Sequence, residues 1–337
     1  MLYELARPFL FSLDPEDAHR LTLRLSGLYS FFGSNIPRRP VRAMGLEFKN
    51  PVGLAAGLDK DAEHADALAA LGFGFIELGG VTLRPQPGNP KPRLFRIPQA
   101  RAIINRFGFN SVGVHAFAEN LRRSSARAHC VVGANIGKNK DTPPEAAGAE
   151  YEKCLEVLYP HVDYVTINVS SPNTKGLRDM QSAQALGALL AGMRARREAL
   201  REKHGRHVAL AVKIAPDLDD AQVKAIAEVL LREKMDGVVA TNTTVSREGV
   251  QGLPFASEEG GLSGAPLHAR ALRVLRTLAS CTGGELALIG CGGIMSGADA
   301  AETFAAGAQL VQIYTGLVYN GPGLIRECAL SAPATAC

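Results

Sequence analysis

The stretch Val162-Asp163-Tyr164-Val165-Thr166-Ile167-Asn168-Val169-Ser170-Ser171-Pro172-Asn173 decides the reading of this chain. Its first half, Val162 to Ile167, is β-branched, aromatic and apolar, the pattern of a buried strand. The strand opens directly into two carboxamides and two hydroxyls. Pro172 fixes its own φ and disfavours helix at Ser171, so the loop leaves the strand in a set direction. Asparagine carries both a carbonyl acceptor and an NH2 donor. Asn168 and Asn173 flanking a hydroxyl therefore suit a flat heterocycle edged with alternating C=O and N–H groups. An Asx/Ser turn closing a strand is the purely structural alternative.

Outward from this stretch the same unit repeats. The strand candidates are Val52–Ala55, Phe75–Val81, Val131–Ile136, Val162–Val169, Val208–Ala215, Gly237–Asn242, Ala287–Gly290 and Leu310–Thr315, eight in all. Helical periodicity lies between them at Ala62–Leu71, Val112–Arg123, Ala146–Leu158, Ala183–Lys203, Asp219–Leu231, Leu267–Leu278 and Ala298–Ala306. Continuous apolar strands are buried on both faces, as in a parallel sheet. Eight βα units predict an α/β chain closed into a (β/α)8 TIM barrel. A doubly wound open sheet is the alternative, but no G-x-G-x-x-G opens the first helix.

Barrel chemistry sits at the C-terminal ends of the strands, and the polar residues collect there. Lys60 follows the first strand, Asn135 ends the third, Asn168 and Ser171 the fourth, and Lys213 the fifth. Thr241, Asn242 and Thr243 end the sixth, Gly292 and Gly293 the seventh, and Tyr314 and Thr315 the eighth. The glycine-rich loops after the last two strands suit a phosphate bound by backbone N–H groups, with ordinary tight turns as the alternative. Lys213, inside an apolar strand, has three readings: a Schiff-base nucleophile, as in an aldolase or lyase; a counter-charge for an anionic cofactor; or a lysine paired with a carboxylate. Only Asp59 and Glu77 lie near a strand end to complete an aldolase relay, so the cofactor reading ranks first. Lys60 stands at a helix start, where the dipole disfavours a cation, and suits a substrate carboxylate.

Composition bounds the rest. The 337 residues carry a net charge of +4, which points to neither a nucleic-acid binder nor an acidic tail. The six cysteines form no C-x-x-C pair and read as free thiols of a reducing cytosol; the histidines make no metal signature. No apolar run reaches transmembrane length, and no secretory signal pattern opens the chain.

Residues 1–42 read as a separate module before a barrel domain at 43–330 and a disordered tail at 331–337. Leu2, Leu5, Ala6, Phe9 and Leu13 recur at helical spacing before the Asp14-Pro15 break. Ala18, Leu21, Leu25, Leu28, Tyr29 and Phe32 do so after it, ending near Gly33-Ser34-Asn35. Asp14 is the N-cap candidate, with Pro15 at the first helical position. Arg38, Arg39 and Arg42 suit anionic lipid headgroups, and a hairpin that merely caps the barrel is the alternative.

Together these pieces resemble the dihydroorotate dehydrogenase family, specifically its class 2, membrane-associated branch. The resemblance covers nearly the whole chain. It rests on Ala55-Ala56-Gly57-Leu58-Asp59-Lys60, Arg84-Pro85-Gln86-Pro87-Gly88-Asn89, Asn105-Arg106-Phe107-Gly108-Phe109, Asn135-Ile136-Gly137-Lys138-Asn139 and the Asn168–Asn173 stretch. It continues through Val212-Lys213-Ile214-Ala215-Pro216, Ala240-Thr241-Asn242-Thr243-Thr244, Gly260–Gly264, Gly292-Gly293-Ile294 and Gln312–Thr315. The class 2 branch also has the Asp14–His19 segment, whereas class 1 members lack the hairpin and use a cysteine where Ser171 stands.

The resemblance implies oxidation of dihydroorotate to orotate on FMN, in pyrimidine biosynthesis, with the electrons passed to a membrane quinone. Ser171 would be the base that removes the C5 proton, with a hydride leaving C6 for the flavin. Lys60, Asn105, Arg106, Phe107, Gly108, Phe109, Asn168, Asn173, Asn242 and Thr243 would hold the substrate. Ala56, Gly57, Leu58, Asp59, Lys60, Gly80, Asn135, Asn168, Lys213, Thr241, Gly264, Gly293, Tyr314 and Thr315 would hold FMN, with Lys213 stabilising the reduced anion. His19, Arg96 and Tyr314 would line a quinone tunnel. The branch further implies a monomer, peripheral on the cytoplasmic face of the inner membrane through its N-terminal helices. Two residues depart from the pattern: Gly80 replaces a Thr or Ser whose hydroxyl would touch FMN, and Cys291 replaces an apolar residue of the phosphate loop.

Overall fold

The computed structural model describes residues 2–27 and 35–333. Leu28, Tyr29 and Phe32 of the expected apolar face, and residues 334–337 of the expected tail, lie outside the described residues. Eight parallel strands form the centre: β1 Val52–Leu54, β2 Phe75–Val81, β3 Val131–Ile136, β4 Tyr164–Asn168, β5 Ala209–Ile214, β6 Gly237–Ala240, β7 Ala287–Cys291 and β8 Leu310–Ile313. Each pairs with its neighbour in chain order, and β8 pairs back onto β1 with Val311 opposite Val52. That last ladder closes the barrel and removes the open-sheet alternative.

The expected strands run one or two residues too long at some ends, because the ladder bonds stop before the strand-like residues do. The barrel helices follow the sequence closely, from Ala65–Ala70 and Val114–Arg123 to Gly297–Ala305. Asp219 and Gln222 form a reciprocal capping box that sets the start of helix Asp220–Arg232. The helix completing the eighth unit, Gly323–Leu330, was absent from the sequence reading.

Inside the barrel, small residues on one strand face large ones on the next. A Cβ on Gly53 would overlap the Phe75 ring, and one on Gly133 would overlap the Tyr164 ring. Phe75 in turn stands edge-on to Phe48 at 5.3 Å and to Tyr164 at 6.4 Å. Phe48 and Met44 come from an antiparallel hairpin, Val41–Ala43 with Leu46–Phe48, that plugs the N-terminal end of the barrel. The expected boundary at 42/43 therefore cuts a strand that belongs to the barrel. The same hairpin corrects the lipid reading of the arginines. Arg42 pairs with Glu47 and Arg39 bonds its backbone to Lys49, at the barrel end opposite the N-terminal helices.

Over the C-terminal end lies an antiparallel sheet of Leu94–Ile97, Ala102–Asn105 and Gly261–Gly264. Two helices, α1 Leu2–Ser12 and α2 Pro15–Ser26, pack against this cover. Asp14 caps α2 by accepting from the backbone N–H of Glu16 at 2.9 Å and Asp17 at 3.1 Å. Phe11 meets Tyr319 edge-on at 5.3 Å, and Arg96 donates to the carbonyls of Leu10 and Leu13 at the end of α1. Glu16 pairs with Arg93 at 3.0 Å. At Gly321, φ is +73° and a Cβ would overlap the Tyr3 ring, so α1 docks where only glycine fits. Leu5, Phe9 and Leu25 keep 79%, 60% and 46% of their surface exposed, the reverse of what a face serving only to cover the barrel would do.

Candidate active site

The C-terminal ends of the strands and the cover sheet enclose a cavity of about 1040 Å³, counting its open mouth. From the β1 and β2 ends come Ala56, Gly57, Lys60 and Gly80; from the loop after the cover strand come Asn105, Phe107, Gly108 and Phe109. Asn135, Asn168, Ser171, Asn173 and Lys213 follow from β3, β4 and β5. Thr241, Asn242, Thr243, Gly264, Gly293, Tyr314 and Thr315 complete the wall. Ser171 and Lys213 thus face one space.

The carboxamides form a connected row. Asn168 Nδ2 donates to Asn135 Oδ1 at 2.9 Å, and Asn242 Nδ2 donates to Asn168 Oδ1 at 3.3 Å and to Ser170 Oγ at 3.0 Å. Asn242 Oδ1 accepts from the Thr243 N–H at 2.7 Å. Across the cavity, Asn173 Nδ2 donates to the Asn105 carbonyl at 3.1 Å. Ser171 Oγ accepts from the Asn173 N–H at 3.3 Å. Arg178 clasps the two loops that carry these groups: it donates to the carbonyls of Ser170 at 3.1 Å and Thr243 at 2.9 Å, and pairs with Asp217 at 2.8 Å.

Among the described residues, neither cavity lysine has a carboxylate partner within salt-bridge distance. Lys60 lies over the Phe107 ring at 4.9 Å, with Arg93 at 5.3 Å from the same ring. Burial lowers its pKa to about 8, opposed by nearby Asp61. The Lys213 ammonium has Cys291 Sγ at 4.0 Å. Burial pushes the Cys291 thiol up, and the lysine opposes the shift. The thiol is therefore a neutral wall of the cavity. The motif at 84–89 holds the substrate-side loop: Gln86 donates to the Phe109 carbonyl at 2.9 Å and Asn89 to the Arg106 carbonyl at 2.8 Å. A Cβ on Gly108, whose φ is +71°, would sit 2.7 Å from Asn89 Cγ.

Three expected contact residues lie elsewhere. Arg106 turns outward to Glu258 at 2.6 Å and stacks on Phe95, because a carboxylate and an aromatic face outside compete for its guanidinium. The Asp59 carboxylate accepts from the N–H groups of Glu63 and His64, so it closes the loop before a helix. Leu58 faces a second cavity. Gly80 also reads differently: a Cβ there would lie 2.6 Å from Phe109 Cδ1 and 3.2 Å from Asn135 Oδ1. The Phe109 ring occupies the space that a side chain at position 80 would need. Sequence reasoning missed Ser263, Leu94, Ile103 and a role for Gln312, all in the wall; the only signal was a glutamine inside the apolar β8 run.

The second cavity, about 940 Å³, lies between the barrel and α1/α2 and is lined by His19, Arg96, Tyr314 and Leu58. Leu94, Ile103 and Tyr314 face both cavities and form the partition. Burial, with Lys60 nearby, lowers the His19 pKa to about 4, so its imidazole is neutral at physiological pH.

Comparison with known proteins fits this geometry. The model of the dihydroorotate dehydrogenase family matches residues 40–329. The chain is 57% identical over 333 residues to the dihydroorotate dehydrogenase (quinone) of Thiobacillus denitrificans, covering 97% of this chain and 98% of the relative. It is 55% identical over 335 residues to the protein of the same name from Ralstonia nicotianae, covering 97% of each. Its structure superimposes on that of Eimeria tenella DHODH in complex with ferulenol with a TM-score of 0.88 at 38% identity, covering 94% of this chain and 90% of that one. A closed barrel, a cavity edged with carboxamides and lysines, and full-length similarity on both sides agree: the chain belongs to the dihydroorotate dehydrogenase family.

Proposed function

We propose that this chain oxidises dihydroorotate to orotate with FMN as its cofactor and a membrane quinone as the final acceptor, a step of pyrimidine biosynthesis. The observation that carries the reading is the pairing, in one cavity, of two ammonium groups lacking carboxylate partners with a row of oriented carboxamides and the Ser171 hydroxyl. The donor set fits FMN. Among the described residues, the buried Gln312 carbonyl oxygen has no hydrogen-bond partner and Lys213 no carboxylate partner. Ala56, Gly57, Gly80, Asn135, Lys213, Thr241, Gly264, Gly293, Tyr314 and Thr315 would hold it. When bound, FMN would supply a two-electron acceptor for dihydroorotate whose electrons the quinone then takes up.

The protein's part is binding, orientation and proton transfer. Lys60 holds the substrate carboxylate, since a half-desolvated ammonium gains most from a charge-assisted bond. Asn105, Asn168, Asn173, Asn242 and Thr243 present donors and acceptors to the ring amides. Ser171 Oγ takes the C5 proton. The Arg178 clasp holds its loop in register with Asn242 and Thr243. Lys213 offsets negative charge at the electron acceptor.

The second cavity admits the quinone. Neutral His19, the Arg96 guanidinium and Tyr314 supply its few polar groups within an apolar lining. The exposed Leu5, Phe9 and Leu25 rest in the lipid surface, which makes the protein peripheral at the cytoplasmic face of the inner membrane. It acts as a monomer. The deciding experiment is the absorbance spectrum of the purified protein without oxygen: a flavin band that bleaches on adding dihydroorotate supports the reading. A colourless protein, or one that traps substrate on Lys213 with borohydride, overturns it in favour of the aldolase alternative.

A further inference from the structure

Below the carboxamide row, fully buried in the barrel, sits Glu77. Both its oxygens accept, and only from neutral donors. Oε1 accepts from Asn135 Nδ2 at 2.8 Å. Oε2 accepts from Gln312 Nε2 at 2.7 Å, Thr166 Oγ1 at 2.9 Å and the Tyr164 hydroxyl at 3.1 Å. No lysine or arginine among the described residues pairs with it.

We propose that Glu77 is the positioning residue that sets the direction of the carboxamides connected to it, the row of Asn135, Asn168 and Asn242 and the side chain of Gln312. An amide can lie either way round, and its two ends have opposite chemistry. A carboxylate accepts and does not donate, so an amide beside it must turn its NH2 inward. Asn135 therefore presents Oδ1 outward, where it accepts from Asn168 Nδ2. That orients Asn168 Oδ1 to accept from Asn242 Nδ2, and leaves Asn242 Oδ1 for the Thr243 N–H. One acceptor at the bottom thus turns Asn135 and sets the sense of the row, and the backbone N–H groups of Ser170, which donates to Asn168 Oδ1 at 3.2 Å, and of Thr243 hold the same sense farther along. The second branch obeys the same rule: Gln312 spends its NH2 on Glu77, and its buried Oε1 has no partner among the described residues. Thr166 and Tyr164 complete the carboxylate without entering the row. A heterocycle that alternates C=O and N–H is recognised only if this polarity is uniform, since a reversed amide places like against like.

The inference rests on the proposed substrate reading, and one experiment separates the two. Orotate affinity and the flavin absorbance band are measured for the FMN-loaded protein, for Glu77→Gln and for Tyr164→Phe. Glutamine keeps the shape but adds an NH2, so either Asn135 or Gln312 must reverse or face a donor, and one branch of the site loses its fixed sense. The expected result is roughly tenfold or greater weakening of orotate in Glu77→Gln with a shifted flavin band, from one misdirected buried amide. Tyr164→Phe removes a donor without altering polarity, and orotate binding should stay within about twofold even where thermal stability falls. Equal weakening in both variants, or wild-type affinity in Glu77→Gln, overturns the inference. Wild-type protein that binds no orotate overturns the substrate reading as well. If Glu77→Gln does not fold, the double variant Glu77→Gln/Asn135→Asp restores a donor-to-acceptor contact between the two positions and keeps an acceptor toward Asn168. Recovered folding and orotate binding then support the inference, and their failure overturns it.

Discussion

Ser171 is a weak base by itself, so what surrounds it decides whether it can take a proton. Its hydroxyl accepts from the Asn173 backbone N–H, and the loop is pinned by Arg178 through the Ser170 carbonyl. Ser171→Ala should therefore lower turnover by about 10²- to 10⁴-fold, the usual range for losing a positioned proton acceptor. FMN content, read from the flavin absorbance, should be unchanged. Near-normal steady-state turnover would remove Ser171 from the mechanism. Lys60 gives a pH dependence. Its pKa, lowered to about 8, means the cation is present at pH 7 and lost as pH rises through 8. Because the free enzyme's pKa governs kcat/KM, that ratio for dihydroorotate should fall above pH 8, with KM rising. A flat profile from pH 7 to 9 would exclude Lys60 as the carboxylate anchor. These residues were legible in the sequence because each ends a strand or a motif. The outward turn of Arg106 was not, since it depends on Glu258, distant in the chain.

At the scale of elements, the N-terminal helices are held on one side and bare on the other. Tyr3, Arg7, Phe11 and Glu16 make the contacts to the barrel and its cover. Leu5 and Phe9, one turn apart on α1, face away. Burying each such side chain in an apolar phase stabilises by about 1.5–3 kcal/mol. Leu5→Glu/Phe9→Glu should thus lose most co-sedimentation with phospholipid vesicles, while flavin reduction by dihydroorotate keeps its rate. Unchanged vesicle binding would show that α1 is only a cap. Helical spacing disclosed both helices and the Asp14-Pro15 break. It could not tell which face docks, because α1 carries large side chains on both. The cover sheet escaped notice for a related reason. Its strands are four residues each, two of them joined through a short 3₁₀ turn and the third far along the chain, so no periodicity marks them.

Over the whole molecule, the barrel interior is built in layers, with the polar row resting on an apolar floor. Phe75 fills the space that Gly53 leaves and touches both the plug and Tyr164. Phe75→Ala should cost about 3–5 kcal/mol, read from the denaturant midpoint at fixed FMN concentration, since bound cofactor adds its own stabilisation. A loss below about 1 kcal/mol would mean that the plug collapses into the gap. The eight strands, the parallel class and the polar strand ends were determined by sequence alone, because a doubly buried strand must be apolar throughout and a reactive end must not be. Only the tertiary structure decided three things: that β8 returns to β1, that residues 41–48 seal the barrel floor, and that Glu77 stands beneath the carboxamide row. The physical reason is common to all three. Each is a contact between groups far apart in the chain, and local pattern encodes burial and period but not which distant partner fills the other side.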